Sequence, residues 1–400
     1  MCDSESKRVT MASFDGTHVP DEIYCGEQVF DLVFHPHSDV LGVALIDGRI
    51  QLHKYGPSGV ASEKVMELNH HSLSCRGITF SNDGQQLYSI SSDRSWAQVD
   101  ANGQMVAHFQ NGHQSSINKL LLLEDKTLVT GDDAGVVKLW DTRMQKEAQK
   151  YHLHEDYISD FAYNEARNTL LSVGGDATLC AYDLRKKNDT SRSDDQEAEL
   201  QCVQCIKGGR KVICGTQEGV ILTFSWDRWG DCSDRFPGHP QAVDSMLKVD
   251  ENSVITGSSD GLIRVVSLQP NKVLGVIGDH EDFPVEGVCR SRCGGILGSY
   301  SHDDIVRFWD ISMFVGDVDD SGADYESEED GEKDDQKMTT GDDEEDEGED
   351  EENWEDASDS SGEDGGKLNP GDISSSDEDS DDEGGGMVFK SETEKFYEDL

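Results

Sequence analysis

Catalysis and metal binding need particular side chains at particular spacings, and this 400-residue sequence offers few of them. Cys202-Val-Gln-Cys205 is a CxxC pair. A zinc site of that kind needs a second pair at suitable spacing, and Cys214 and Cys232 do not supply it. A redox CxxC wants a helix after it, whereas IKGGRKVICG (206–215) reads as strand, turn, strand. Cys289 and Cys293 read as structural in the same way. Histidines such as His70, His71, His152 and His154 never form His-Glu-x-x-His. Gly208-Gly209 and the glycines at 384–386 lack the spacing and the lysine of a phosphate loop. Carboxylates are too abundant for any pair to be informative, and no nucleophile-plus-base arrangement stands out. The expectation is no catalytic residue, no metal ligand and no cofactor.

What the histidines do carry is a period. His71, His113, His154, His239 and His280 step by 42, 41, 85 and 41 residues, and 85 is two repeats with one marker lost. An Asp-Gly-like turn followed by an alternating apolar strand keeps the same beat. Its second turn residue is Gly48, Arg94, Gly135, Ala177, Gly219, Gly261 and Asp304, at steps of 46, 41, 42, 42, 42 and 43. A repeat of ~40–45 residues with four short strands, Gly-His and Trp-Asp signatures is the WD repeat. Trp140-Asp141 and Trp309-Asp310 are full Trp-Asp pairs, and Tyr182-Asp183 and Val99-Asp100 are degraded ones. Trp226-Asp227 falls two positions beyond the expected Phe224-Ser225. One four-stranded sheet cannot bury both faces alone, and stacking seven around an axis does so. The sequence therefore predicts an all-β, seven-bladed WD-repeat β-propeller over 20–316.

Within that frame His113, Thr130, Asp133 and Trp140 are expected to form a buried hydrogen-bonded chain. His239, Thr256 and Asp260 form a second, with Val266 in place of the tryptophan. The seventh repeat, from Val285, runs out after its third strand, so residues near Ile23–Tyr24 are expected to supply the missing strand and close the ring. Residues 186–199 (KKNDTSRSDDQEAE) show no apolar period and read as a disordered loop. Residues 1–19 read as a flexible N-terminus.

Residues 317–400 are another kind of polymer. They hold 37 Asp or Glu against 5 Lys or Arg, a net of −32 out of −49 for the whole chain. Such a segment cannot bury enough apolar surface to offset its ordering entropy, so a long acidic disordered tail is expected. Ser327, Ser361, Ser376 and Ser380 each have an acidic residue three positions on, the pattern of acid-directed phosphorylation. Met387-Val-Phe-Lys390 and Lys395-Phe-Tyr-Glu-Asp-Leu400 are apolar islands near its end. The body is itself net acidic, which argues against direct nucleic-acid binding, since gripping phosphates requires Lys and Arg. Basic clients such as histones or ribosomal proteins suit the tail better. No apolar run approaches the ~20 residues of a membrane helix, so no membrane partner is expected. Ten scattered cysteines fit a reducing compartment.

Two motifs suit partner binding. Trp140-Asp-Thr-Arg143 and Tyr182-Asp-Leu-Arg185 both read W/Y-D-x-R at the end of a third strand. In WD-repeat receptors of cullin-RING ubiquitin ligases an arginine in this place contacts the adaptor, which makes Arg143 and Arg185 candidate adaptor ligands. Trp226, Arg228 and Trp229 lie in a loop of blade 5 and could form a binding hot spot or cover the end of a neighbouring blade.

The sequence resembles the WD repeat-containing protein 55 family. The likeness is carried by CGTQEGVILTFSWDRWGDCSDRF (214–236), GSSDGLIRVVSLQPNKVLGVIGDHEDFPVE (257–286), TGDDAGVVKLWDTR (130–143) and SHDDIVRFWDIS (301–312). It implies a nuclear and nucleolar protein, with the cytoplasm as a second location, that supports ribosomal RNA production and ribosome biogenesis. It also implies ribosome-assembly factors as partners, and no catalytic residues. The chain departs from this in lacking a clear basic import cluster; Lys7-Arg8 and Arg185-Lys186-Lys187 are short. Three functions follow as expectations: a nucleolar scaffold, a substrate receptor of a cullin-RING ligase, and an acidic chaperone for a basic client.

Overall fold

The computed structural model describes residues 19–314, apart from 125, 187, 188 and 282. The tail, most of the N-terminus and the four tail serines lie outside these residues. Seven antiparallel four-stranded sheets make up the fold, and no α-helix occurs among the described residues. Six sheets are consecutive in sequence: blades 1 to 6 span 29–69, 75–109, 117–152, 158–192, 200–237 and 243–279. Blade 7 takes three strands from 285–310 and its outermost from Ile23–Tyr24. Ile23 pairs with Val306 and Tyr24 with Ile305, so the ring closes as the sequence requires.

The reason for stacking is visible strand by strand. In blade 3, Thr127–Asp132 is buried along nearly its whole length, and the outer strand Lys146–His152 is largely exposed. The apolar clusters lie between blades: Val129, Val137 and Leu139 of blade 3 pack on Ile158, Phe161 and Leu170 of blade 4. Close approach needs small residues. A Cβ on Gly131 would stand 2.7 Å from Ile158 of the next blade.

The two sequence markers meet physically. Arg94, Gly135, Ala177, Gly219 and Gly261 all have positive φ, so the turn between second and third strands demands the left-handed region. At Gly135 a Cβ would also strike the His154 carbonyl of the next loop at 2.5 Å. The carbonyl of the turn residue then accepts the amide of the histidine-position residue one blade on: His239 N to Gly219 O at 3.2 Å and His280 N to Gly261 O at 2.8 Å.

One expectation fails here. Residues 189–199 are not a disordered loop: Thr190–Arg192 is the outer strand of blade 4, paired to Cys180–Tyr182. The strand is too short and polar to show a period. It is held by Arg192, whose guanidinium reaches Glu155 at 3.1 Å and Asp176 at 3.3 Å.

Neighbouring blades are also tied near the axis. The innermost strand of every blade carries a register shift near its start. Asp31 and Asp160, just past that shift, accept the backbone amides of Ile78 (2.8 Å) and Val203 (3.0 Å) in the following blades. Lys119 Nζ lies 3.2 Å from Asp160. Burial pushes the Asp31 carboxyl up, whereas Asp160 holds the Lys119 ammonium above its ordinary range.

Candidate functional site

A buried polar chain runs through the loop before the first strand of blades 2, 3, 4, 6 and 7. In blade 3, His113 Nδ1 is 2.8 Å from Asp132 and Nε2 is 2.7 Å from Thr130 Oγ1, which also accepts the Trp140 indole N–H at 2.8 Å. Burial lowers the His113 pKa, so the ring is neutral with Nδ1–H facing the carboxylate. Burial alone would raise Asp132. The hydrogen bond from His113 and the amides of Val136 and Ala134 outweigh it and hold the carboxyl down.

The partner is therefore Asp132, not Asp133. Strand register decides between the adjacent pair: Asp132 ends the second strand opposite Ile117, while Asp133 is turned outward to Arg76 at 3.2 Å. Blade 6 differs too. His239 Nε2 does bond Thr256 at 2.9 Å, but Asp260 is taken by Arg264 (2.9 Å), and His239 Nδ1 has no hydrogen-bond partner among the described residues.

Three further chains escape the search because serine replaces threonine. His71 bonds Ser89 (2.8 Å) and Ser95 (2.9 Å). His154 bonds Ser172 (2.7 Å) and Asp176 (3.0 Å), with the Tyr182 hydroxyl closing on Ser172. His280 bonds Ser299 (2.7 Å), which accepts from Trp309. A hydroxyl seventeen to nineteen residues after each marker histidine is the signal that would have found them.

Blades 1 and 5 have no such chain. Their loops put Cys25 and Gln196 where the histidine stands elsewhere, and each makes the same backbone bond, Cys25 N to Asp304 O and Gln196 N to Ala177 O. Val43 and Cys214 replace the hydroxyl residue, and His53 and Phe224 replace the tryptophan.

All of this is scaffold. The exposed candidates lie in loops after third strands, at one end of blades 3, 4 and 5. The Arg143 side chain is 69% exposed, with its guanidinium 3.6 Å from Asp141, whose Oδ1 accepts the Arg143 backbone amide at 2.9 Å. Arg185, 57% exposed, is gripped by Asp183 through Nε and Nη2 at 2.9 and 2.8 Å. Met144 stands exposed beside Arg143. Trp226 and Trp229 meet edge to face at 5.0 Å and pack on the core between blades 4 and 5. Arg167 of blade 4 caps the Trp226 ring at 4.7 Å. Of the three candidates in that loop, Arg228 is the exposed one.

Cys202 and Cys205 point to opposite faces of their strand, one toward blade 6 and one toward blade 4, so they do not form a ligand pair. Burial pushes the Cys205 thiol up to about 11 and raises the Cys202 thiol as well. Among the described residues no group of His, Cys, Asp and Glu is placed to hold a metal.

Comparison with known proteins bears on the whole ring. A family model described as WDR55 matches residues 20–314. The chain belongs to the WDR55 family. The chain is 38% identical to the WD repeat-containing protein 55 of Arabidopsis thaliana over 297 residues, 74% of this chain and 83% of the relative. It is 37% identical to the Rattus norvegicus protein of the same name over 295 residues, 74% and 77% of the two chains. The WD repeat-containing protein JIP5 of Coprinopsis cinerea is 37% identical over 304 residues, 73% and 74% of the two. The WDR55 match spans all seven blades, including blades 1 and 5, which lack the histidine chain. Its fold, and the placement of exposed arginines and a tryptophan pair on short loops, support a role in holding other proteins.

Proposed function

We propose that this WDR55-family chain is a non-catalytic, nucleolar protein-interaction scaffold that supports ribosomal RNA production and ribosome assembly. The observation that carries the reading is the family match across the complete propeller, 20–314. Its buried polar groups are spent on joining blades rather than on a reaction centre, and its exposed candidates are loop residues of a kind that docks proteins. Ribosome-assembly factors on the propeller, and basic clients on the acidic tail, are the proposed partners. Depleting the protein should lower pre-ribosomal RNA output, and the tagged protein should co-sediment with pre-ribosomal particles. Unchanged ribosomal RNA after depletion would overturn this role.

A second reading is favoured by one observation: Arg143 and Arg185 occupy the same place in adjacent blades and both are exposed. They would together contact a cullin-ligase adaptor. Reversing both (Arg143→Glu, Arg185→Glu) should abolish adaptor capture. Capture at the wild-type level would remove this reading and leave the first standing.

A further inference from the structure

Among the described residues, three hydroxyl side chains have an acidic residue three positions on: Thr130 with Asp133, Ser191 with Asp194 and Ser301 with Asp304. That is the pattern of acid-directed phosphorylation, which also needs a hydroxyl that a kinase can reach. Thr130 and Ser301 lie in second strands and are wholly buried, and the Thr130 hydroxyl is taken by His113 and Trp140. Ser191 is exposed. The fold therefore separates one member of the pattern from the other two.

Ser191 sits in the middle of Thr190–Arg192, the outermost strand of blade 4. Among the described residues the strand pairs on one side only, with Cys180–Tyr182, and the Ser191 hydroxyl makes no hydrogen bond. Asp194 is exposed and forms no ion pair among the described residues, and Asp195 beside it is exposed too. The nearby Ser193 is out of reach. It is 6% exposed, its Oγ accepts the Leu179 amide at 2.9 Å, and its hydroxyl donates to the Asp194 carbonyl at 2.8 Å. Directly opposed residues share a sheet face. Ser191 stands opposite Ala181, which packs toward blade 5, on the side where Trp226 and Trp229 also pack. The Asp194 amide ties this stretch to their loop by donating to the Gly230 carbonyl at 2.9 Å.

We propose that Ser191 is a phosphorylation site of an acid-directed protein kinase, which reads Asp194 as its acidic determinant. The kinase moves the γ-phosphoryl group of MgATP to Ser191 Oγ. The bond from the γ-phosphorus to the bridging oxygen breaks, the new Oγ–P bond forms, the hydroxyl proton passes to a base of the kinase, and ADP leaves. The product carries roughly two added negative charges at pH 7. They stand on the side of the strand that faces the loop of Trp226, Arg228 and Trp229, so the modification changes the charge that a partner docking there meets. The site rests on the pattern and the geometry; its effect on a partner rests on the reading of the chain as an interaction scaffold.

The test incubates the full chain with MgATP and a recombinant acid-directed casein kinase, and locates phosphate by mass spectrometry of the digested product. A synthetic peptide of residues 186–199 runs in parallel and shows which hydroxyls the kinase takes when no fold restricts it. In the full chain phosphate should appear on Ser191 and not on Ser193. Asp194→Asn, which changes one exposed group and keeps the backbone bonds, should slow modification of Ser191 about tenfold, the weight of one charge-assisted contact. The same substitution in the peptide should slow it equally, so the recognition arm still decides if the protein variant fails to fold. A full chain without phosphate on Ser191, whatever the peptide shows, would overturn the proposal. So would an unchanged rate with Asp194→Asn, or Ser193 modified as fast as Ser191 in the full chain. None of these readouts involves ribosomal RNA, so this proposal and the scaffold reading fail separately.

Discussion

His113 Nδ1 and Asp132 Oδ2 stand 2.8 Å apart, both side chains almost wholly out of solvent, at the junction of the loop before blade 3 and the end of its second strand. The pair ties two segments that the chain's own connectivity leaves apart. Asp132→Ala strips His113 of its acceptor and leaves the amides of Val136 and Ala134 unmet. It should cost about 2–4 kcal/mol by urea denaturation. Asp133→Ala removes only a half-exposed contact to Arg76 and should cost under about 1 kcal/mol. Equal losses would mean the register argument for Asp132 is wrong.

Acid should loosen the ring before most of its carboxylates protonate. Burial pushes His70 and His239 down to about 4 and lowers His113, His53, His35 and His108 as well, from an ordinary value of 6.5. A histidine held below its unfolded value stabilises the fold above pH 6.5 and loses that contribution as pH falls toward its folded value. Three groups run the other way. Asp31, raised by burial, favours the fold as pH falls. Asp244, pushed up to about 7 by burial and Glu286, favours the fold increasingly as pH falls from 7. His302, raised by Glu286, favours it at low pH. Six groups against three predict that the melting midpoint drops between pH 6.5 and 4. A flat or rising midpoint across that window would contradict the assignment of neutral buried imidazoles.

Asp160 gives a separate test of the ties near the axis. Asp160→Ala leaves the fully buried Val203 amide without its acceptor and should cost about 1–3 kcal/mol. Lys119→Met should cost under about 1 kcal/mol, since the lysine side chain is 44% exposed. The double variant should lose about 0.5–1 kcal/mol less than the sum of the two. Strict additivity in denaturation would show that the 3.2 Å contact carries no energy.

The tryptophan loop separates packing from binding. Trp226 lies between the core and Arg167, so Trp226→Ala should lower stability by about 2 kcal/mol. Arg228→Ala should stay within about 0.5 kcal/mol of wild type. A stable Trp226→Ala protein would return that residue to the set available for partners.

The period of the repeat was legible because two physical requirements recur around the ring: a left-handed turn residue in blades 1 to 6 and, at five junctions, a residue one blade later whose amide meets the turn carbonyl. Gly261 with His280, and Gly219 with His239, are marker and countermarker of one hydrogen bond. Where composition changes but the backbone bond persists, the sequence goes quiet. Cys25 and Gln196 do the histidine's backbone work without its name. Asp132 and Asp133 are adjacent in the sequence, but one ends the strand and the other opens the turn beyond it, which spacing could not resolve. Thr190–Arg192 was hidden because its place is secured by an arginine reaching two carboxylates rather than by alternating apolar side chains.

The pairing of Ile23 with Val306 also sets an order of events during synthesis. The closing strand leaves the ribosome first, and its partner leaves last among the blades. Through most of translation the growing polypeptide is an arc with two bare sheet edges, the state in which β-rich chains are most open to wrong pairing. A product that terminates before Ile305 is consequently not a smaller ring but an unfinished one, with its first strand still waiting for a place to bind.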